Sequence, residues 1–199
     1  MGDVPPFNAG NARMKIRGLV LAGGKSSRFG EDKAMAVYNG ASFLKRAVSL
    51  LTSLGLRPIV VTRRGANYPL TDHPVIYDKL PEKGPLGGIY SAMTVFKNAS
   101  FLVVPCDMPA LTSAALSDLL AAHEPSFGAT VYSTGSGIQP FPGIYEPALL
   151  EIVRNKLKQN DLSIQDLLDR VPAKKVMIWK GDPEVFSNIN YKKDLICNP

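Results

Sequence analysis

The spacing of apolar residues changes several times along the chain, and each change predicts a strand or a helix. Four short apolar runs are predicted to be strands: Ile16–Ala22, Pro58–Thr62, Pro74–Asp78 and Phe101–Val104. The first of them, which ends in Gly-Gly, suits a buried parallel strand. Three intervening segments have helical spacing or a helix-capping residue: 41–55, 86–97 and 112–123, the last capped by Thr112. This alternation predicts a mainly parallel sheet with helices on both faces.

The later part of the chain is less regular but contains further elements. Strands are predicted at 128–133, 140–146 and 174–179, one of them antiparallel, and helices at 147–158, 162–170 and, briefly, within 188–196. Residues 15–199 are therefore predicted to form a single domain. Residues 1–14 contain Pro5 and Pro6 and no apolar core, which is typical of a disordered leader or an added tail, with Met14 as a natural start.

Candidate ligand-binding residues, two glycines and two aspartates, follow the predicted parallel strands. Gly23 and Gly24 come after the first strand, Asp78 ends a later one, and Asp107 lies just beyond the run Phe101–Val104. Ligands of open α/β sheets bind at the carboxyl ends of the strands. We therefore expect these residues to converge in one crevice.

The segment "LAGGKSSRFGEDK" at 21–33 combines adjacent glycines with three cations, Lys25, Arg28 and Lys33. Its spacing fits neither the dinucleotide fingerprint G-x-G-x-x-G nor the P-loop. Glycines nevertheless let backbone N–H groups approach phosphate oxygens closely. Arg28 can bind a phosphate bidentately, and Lys33 can act as a point charge. The segment therefore predicts a site for a nucleoside triphosphate.

Composition narrows the class of protein. The chain has 199 residues and a net charge of +6, but its basic residues are scattered, which does not indicate a nucleic-acid partner. No run approaches the ~20 apolar residues needed to cross a membrane, so no membrane partner is expected. Cys106 and Cys197 match no metal-site spacing and indicate a reducing, cytoplasmic environment. Cys106, at the end of a strand, is interpreted as a small buried residue.

Several segments resemble the molybdenum cofactor guanylyltransferases. Residues 21–33 match the nucleotidyltransferase pattern L-x-x-G-x-x-x-R-x-G-x-x-K, and the double glycine, "GPLGG" at 84–88 and "PCDMP" at 105–109 point to this family. "VIYDKL" at 75–80 adds to the match, and "NINYKKDL" at 188–195 does so more weakly. The resemblance extends over nearly the whole chain. It implies a Rossmann-like, three-layer α/β/α fold whose mostly parallel sheet includes one antiparallel strand.

The resemblance also implies an activity: transfer of GMP from GTP to the terminal phosphate of a molybdenum-pterin cofactor, with release of pyrophosphate. The implied catalytic residues are Arg28, Lys33 and Asp107, with Asp107 binding Mg²⁺. The implied nucleotide-binding residues are Leu21, Ala22, Gly23, Gly24, Lys25, Lys33, Asp78, Gly84, Pro85, Leu86 and Asp107. Asn188 and Asn190 are the implied contacts of the pterin substrate. Other cofactor-biosynthesis proteins or molybdoenzymes are the expected transient partners.

Three positions depart from the family pattern. Thr62 stands where the family often has Asn, Gln139-Pro140 stands where His-Pro is common, and Tyr191-Lys192 replaces Thr-Pro after the Asn-x-Asn segment. The last two lie where the pterin is expected, so the acceptor is less well defined than the donor. Two alternatives stay open: a transferase of the same fold that uses CTP or a sugar phosphate, and a nucleotide-binding regulatory protein without catalysis.

Overall fold

One large sheet forms the centre of the molecule in a computed structural model, which describes residues 15–23, 29, 32–66, 68–69 and 73–195. The strands are β1 (Lys15–Leu21), β2 (Val37–Tyr38), β3 (Ala41–Ser42), β4 (Ile59–Thr62), β5 (Val75–Tyr77), β6 (Ala99–Pro105), β7 (Ala129–Thr134), β8 (Gly137–Tyr145) and β9 (Lys174–Ile178). The helices are α1 (Phe43–Ser53), α2 (Gly84–Val95), α3 (Ser113–Ala122), α4 (Leu150–Lys158) and α5 (Ile164–Arg170).

The sheet has seven strands in the order β5-β4-β1-β6-β8-β7-β9. Every neighbouring pair is parallel except those that involve β8, which runs antiparallel to both β6 and β7. Helix α1 contacts α3, and α4 contacts both α2 and α5, so the helices form two layers around the sheet. The predicted three-layer α/β/α fold with one antiparallel strand is confirmed.

Burial explains why β1, β4 and β6 form continuous apolar runs, whereas the edge strand β5 exposes Val75 and Tyr77. Leu19 and Val20 of β1 and the whole of 101–104 in β6 are at most 1% exposed, because helices cover both faces of the sheet. Gly18 allows α1 to pack closely on β1, since a Cβ there would lie 2.9 Å from Leu51 Cδ1. Ser42 begins α1 by accepting a hydrogen bond from Lys45 N.

Two local features refine the sequence prediction. The short helix predicted within 188–196 is present, in the described part of this segment, as a 3₁₀ helix at Lys192–Leu195. The Asp194 carboxylate accepts hydrogen bonds from the N–H groups of Asn190 and Tyr191, which fixes the backbone that leads into this helix. A small hairpin, β2–β3, turns through Asn39-Gly40, both with positive φ, and the apolar pattern did not indicate it.

Helix length and polarity also bear on the membrane prediction. Within the residues that the structure describes, none of the helices is both long enough and apolar enough to span a bilayer.

Candidate functional site

The carboxyl ends of the parallel strands meet at one edge of the sheet, where predicted site residues follow them. Gly23 lies two residues after β1, Asp78 directly after β5, and Asp107 two residues after β6. The register aligns these ends, because Leu21 and Pro105, the last residues of β1 and β6, are paired. Residues far apart in sequence are therefore brought to one edge of the sheet. Gly23 and Asp78 share a cavity there, whereas Asp107 is paired with Lys33 beside it.

A cavity of about 680 Å³ opens among the loops that follow β1, β4 and β5. This volume is in the range of small-molecule sites. Its lining combines three cationic side chains, two carboxylates and two glycines: Gly23, Arg63, Arg64, Asp78, Lys79, Pro81, Glu82 and Gly84. Three of the predicted nucleotide-binding residues, Gly23, Asp78 and Gly84, are thus brought together. The cations favour an anionic ligand.

The backbone around Gly23 is held by hydrogen bonds from two other segments. Ala22 N donates to Val61 O at 2.9 Å, and the Tyr68 hydroxyl lies 3.2 Å from Ala22 O. Leu21 is paired within the sheet, so the backbones of Leu21 and Ala22 are held in place just before Gly23. Gly23 is exposed and lines the cavity. Of the three residues, Gly23 is the one that the structure presents to a ligand.

The start of α2 forms another wall of the cavity. Gly84 has a φ of +59°, which favours glycine, and Pro85 occupies the first turn, where its missing N–H removes no helical hydrogen bond. Leu86 is fully buried, so its side chain belongs to the core and only its backbone is available near the helix terminus. The amino end of a helix carries partial positive charge, which suits a phosphate.

Asp78 is fixed by the turn that follows β5. Its Oδ1 accepts a hydrogen bond from Leu80 N at 3.0 Å and lies 3.0 Å from the hydroxyl of the buried Ser91. Its Oδ2 faces Gly87, where a Cβ would lie only 3.0 Å away. The carboxylate therefore has a structural role through one oxygen while it lines the cavity, and a glycine in α2 makes room for it.

Lys33, Asp107 and Asn190 form a second cluster at the same edge of the sheet. The Lys33 Nζ donates to Asp107 Oδ2 at 2.8 Å and to Asn190 Oδ1 at 3.0 Å. Lys33 begins a 3₁₀ helix, Lys33–Met35, whose amino end is capped by the Asp32 carboxylate. The structure therefore joins both described members of the predicted catalytic set in one ion pair.

The carboxyl-terminal segment contributes Asn190 because its backbone is anchored beside Asp107. Ile189 N donates to Asp107 O at 2.9 Å, and the Ile189 side chain is buried. Both asparagines are exposed, but the Asn190 side chain accepts a hydrogen bond from Lys33 Nζ. The two predicted pterin contacts thus have different surroundings, and Asn190 is the one that joins the cluster.

Three predicted site residues, Gly24, Lys25 and Arg28, lie outside the described residues. Their assignment to nucleotide binding and catalysis stays a prediction from the sequence. Residues 1–14 and Cys197 also lie outside the described part of the chain.

The sequence interpretation missed Arg63, Arg64 and Tyr68. The two arginines follow a predicted strand directly, and this position at the ligand-binding edge was the signal that could have identified them. Tyr68 had no such signal, because its contact with Ala22 joins residues 46 positions apart in sequence.

The oxygen atoms around the Lys33 ammonium are of the kind that coordinates a hard cation. Asp107 and Asn190 direct oxygen atoms at one point, which the Lys33 ammonium occupies. Magnesium takes oxygen ligands and commonly uses one or two protein carboxylates, with substrate phosphates and water completing its coordination. The described residues contain no group of three or more His, Cys, Asp or Glu side chains suited to a metal. The residues present therefore fit a metal shared with a phosphate ligand.

Cys106, next to Asp107, does not provide a nucleophile. Burial, reinforced by the Asp107 charge, raises the pKa of its thiol to about 12. The thiol is therefore neutral at physiological pH, and the interpretation of Cys106 as a buried packing residue is confirmed by its 8% exposure.

The family model of the MobA-like NTP transferase domain matches residues 18–175, which include the cavity and the Lys33–Asp107 pair. The chain belongs to the MobA-like NTP transferase family. It is thus a nucleotidyltransferase, and the resemblance to molybdenum cofactor guanylyltransferases drawn from its sequence is confirmed.

Individual relatives of this MobA-like NTP transferase agree with the family match. A probable molybdenum cofactor guanylyltransferase of Flavobacterium johnsoniae is 28% identical over 89% of this chain and 93% of its own length. The crystal structure of molybdopterin-guanine dinucleotide biosynthesis protein A from Archaeoglobus fulgidus superposes with a TM-score of 0.71 at 20% identity, covering 92% of this chain and 96% of that one. The match to the Archaeoglobus structure shows that the two chains share a fold.

A divalent metal is present in another protein of this fold. A Mycobacterium tuberculosis protein, solved as a complex with manganese, matches with a TM-score of 0.62 at 16% identity, covering 85% of the MobA-like chain described here and 90% of its own.

Proposed function

We propose that the protein transfers GMP from GTP to the terminal phosphate of a molybdenum-pterin cofactor and releases pyrophosphate. The single observation that carries the proposal is the Lys33–Asp107 ion pair of 2.8 Å at the strand ends, the edge where the cationic cavity also opens. The family match and the name of the Flavobacterium relative supply the nucleotide and the acceptor.

The reaction is an exchange of phosphate bonds. An oxygen of the acceptor's terminal phosphate attacks the α-phosphorus of GTP, and the bond from that phosphorus to the bridging oxygen of pyrophosphate breaks. The attacking phosphate is already ionised at neutral pH, so it needs no general base. Both reactants are anions, and the barrier is therefore dominated by charge, which the protein lowers by positioning and electrostatic stabilisation.

Lys33 supplies the central positive charge. Its ammonium sits between Asp107 and Asn190, and from this position it stabilises the negative charge that develops around the α-phosphate. Arg28 and Lys25 hold the departing pyrophosphate. Asp107 holds Mg²⁺, which when bound neutralises charge on the phosphates.

The cavity takes the nucleoside side of GTP together with phosphate oxygens, which its arginines and the start of α2 favour. Gly23 and Gly84 let the nucleotide approach the backbone closely, and Asp78 contacts the guanosine from the end of β5. The acceptor lies on the Asn188–Asn190 side. The contact from Asn190 to Lys33 supports this arrangement, because it places the acceptor residues beside the group that acts on the transferred phosphate. The protein is expected to work in the cytoplasm without nucleic acid.

The test is a pyrophosphate-release assay with the molybdenum-pterin acceptor, Mg²⁺ and each of GTP, CTP, ATP and UTP. Release with GTP that depends on the acceptor is expected. Preference for CTP would replace the guanylyl assignment by a cytidylyl one, and tight GTP binding without turnover would favour a regulatory role.

A pair of variants connects the assay to the site. Asp107→Ala is expected to lower turnover by ~10²-fold or more, the scale of a key electrostatic group. Asp118→Ala, on the exposed face of α3, is the matched control and should retain wild-type turnover. Wild-type turnover by folded Asp107→Ala protein would remove Asp107 from the mechanism.

A further inference from the structure

The hydroxyl of Tyr68 connects three segments of the site that are separate in sequence. It lies 3.2 Å from Ala22 O, 3.1 Å from Asp32 Oδ2 and 3.3 Å from Asp32 Oδ1, and it is 3.4 Å from the hydroxyl of the fully buried Thr62. A tyrosine hydroxyl has one proton to donate. Ala22 and Asp32 therefore share a single donor.

Both acceptors of this hydroxyl are next to residues of the proposed site. Asp32 precedes Lys33, and its Oδ1 caps the helix that carries Lys33 by accepting from Ala34 N at 3.1 Å. Ala22 precedes Gly23, which lines the cavity. Burial raises the pKa of Tyr68 to about 12, so the hydroxyl stays protonated at any ordinary assay pH.

The contact with Ala22 sets the direction of a donor at the cavity. The carbonyl of Ala22 and the N–H of Gly23 belong to one planar peptide group and point in opposite directions. Ala22 N is held by Val61 O, so the hydrogen bond from Tyr68 to Ala22 O fixes the remaining rotation of that peptide. Tyr68 therefore determines where the Gly23 N–H points, although it does not line the cavity itself.

We propose that Tyr68 is a positioning residue that gives the site its selectivity for the nucleotide base, by fixing the Gly23 N–H as a donor. This inference rests on the proposed use of GTP. A fixed donor suits guanine, which presents the O6 carbonyl as an acceptor, and is unsuited to adenine, which presents an amino group there. The shared contact with Asp32 links this base-reading turn to the helix that positions Lys33.

The experiment compares Tyr68→Phe with wild type in pyrophosphate release, measuring kcat and KM for GTP and for ATP. Phenylalanine keeps the ring and removes only the hydroxyl. The ratio of kcat/KM for GTP to that for ATP should fall by about two- to tenfold, the range expected for one neutral hydrogen bond. The change should lie in KM, with kcat within about twofold of wild type, because Asp32 still caps the Lys33 helix. Tyr77→Phe, at the end of β5, is the matched control and should leave the ratio unchanged.

A second variant tests the link through Asp32. Asp32→Ala removes the helix cap and should lower kcat in either background, because Lys33 is then less well held. In the Tyr68→Phe background it should change the GTP-to-ATP ratio by less than about twofold, since Asp32 affects base selectivity only through the tyrosine hydroxyl.

The outcomes separate this inference from the proposed function. An unchanged GTP-to-ATP ratio in folded Tyr68→Phe protein would overturn the positioning role while leaving guanylyl transfer intact. A further fall of that ratio when Asp32→Ala is added to Tyr68→Phe would do the same. If Tyr68→Phe does not fold, the same ratio measured in Asp32→Ala alone decides. Without Asp32 the hydroxyl proton goes to Ala22 O alone, so a raised ratio supports the proposal and an unchanged or lowered one overturns it. Wild-type protein that binds no GTP by calorimetry would overturn the proposed function, and this inference with it.

Discussion

Gly87→Ala offers a direct test of how α2 and Asp78 are fitted together. A Cβ at position 87 would lie 2.9 Å from the backbone oxygen of Leu80, 3.0 Å from Asp78 Oδ2 and 3.1 Å from Lys83 Cβ. Two of these neighbours belong to the turn that forms one wall of the cavity. Because a backbone oxygen cannot move alone, the substitution must shift either the helix or the turn that carries Asp78.

The expected loss of stability follows from two opposing terms. Forcing an extra carbon into a packed site typically costs about 1–3 kcal/mol. Alanine is favoured over glycine within a helix by up to about 1 kcal/mol. The free energy of unfolding should therefore fall by about 1–2 kcal/mol, which for a chain of this length lowers Tm by about 2–8 °C. Displacement of Asp78 should also weaken GTP binding.

The measurements are thermal unfolding and GTP titration by calorimetry, with Gly88→Ala as the matched control. That glycine lies in the same helix, but its added Cβ would meet the terminal Cδ2 of Leu21 at 2.8 Å, and a terminal methyl can rotate away. Gly88→Ala should therefore be close to wild type in both measurements. The reasoning is refuted if the two variants have the same Tm and the same affinity for GTP.

Three further predictions concern Lys33, Asn190 and Cys106. Lys33→Ala should lower kcat for pyrophosphate release by ~10²-fold or more, because it removes the cation at the transferred phosphate. Asn190→Ala should lower kcat by about two- to tenfold in the same assay, because an oxygen atom that accepts a hydrogen bond from the Lys33 ammonium is lost. Burial raises the pKa of the Cys106 thiol from 9.0 to about 12, so the folded state is stabilised by the neutral thiol below pH 9, and this contribution is lost as the pH rises toward 12. Urea denaturation measures this. Between pH 9 and pH 11, the free energy of unfolding should fall less for Cys106→Ala than for wild type.

The order of strands and helices could be predicted because its signals are local. Apolar runs such as Phe101–Val104 show that a strand is buried on both faces, and Ser42 and Thr112 cap the helices that follow them. The type of the last helix could not be predicted in this way. The sequence indicated only a short helix near the end of the chain, and the structure gives a 3₁₀ helix, Lys192–Leu195, preceded by two backbone N–H groups that donate to the Asp194 carboxylate.

The candidate site was predictable only in part. Asp78 and Asp107 could be located because each follows a strand, and parallel strands of one sheet share an edge. The partner of Lys33 could not be deduced from spacing, since Asp107 is 74 residues away and Asn190 is 157 residues away. Motif resemblance named these residues, but it gave no contact between them.

By itself, the sequence determined the alternation of elements, the mostly parallel sheet and the edge at which ligands bind. These properties follow from periodicity and from the residues at strand ends, which neighbouring positions are enough to reveal. Only the tertiary structure decided that Asn190 holds Lys33, that Gly87 makes room for Asp78, and that Tyr68 fixes the peptide before Gly23. Such contacts depend on strand register and on loop paths, and these are set by the packing of the whole sheet.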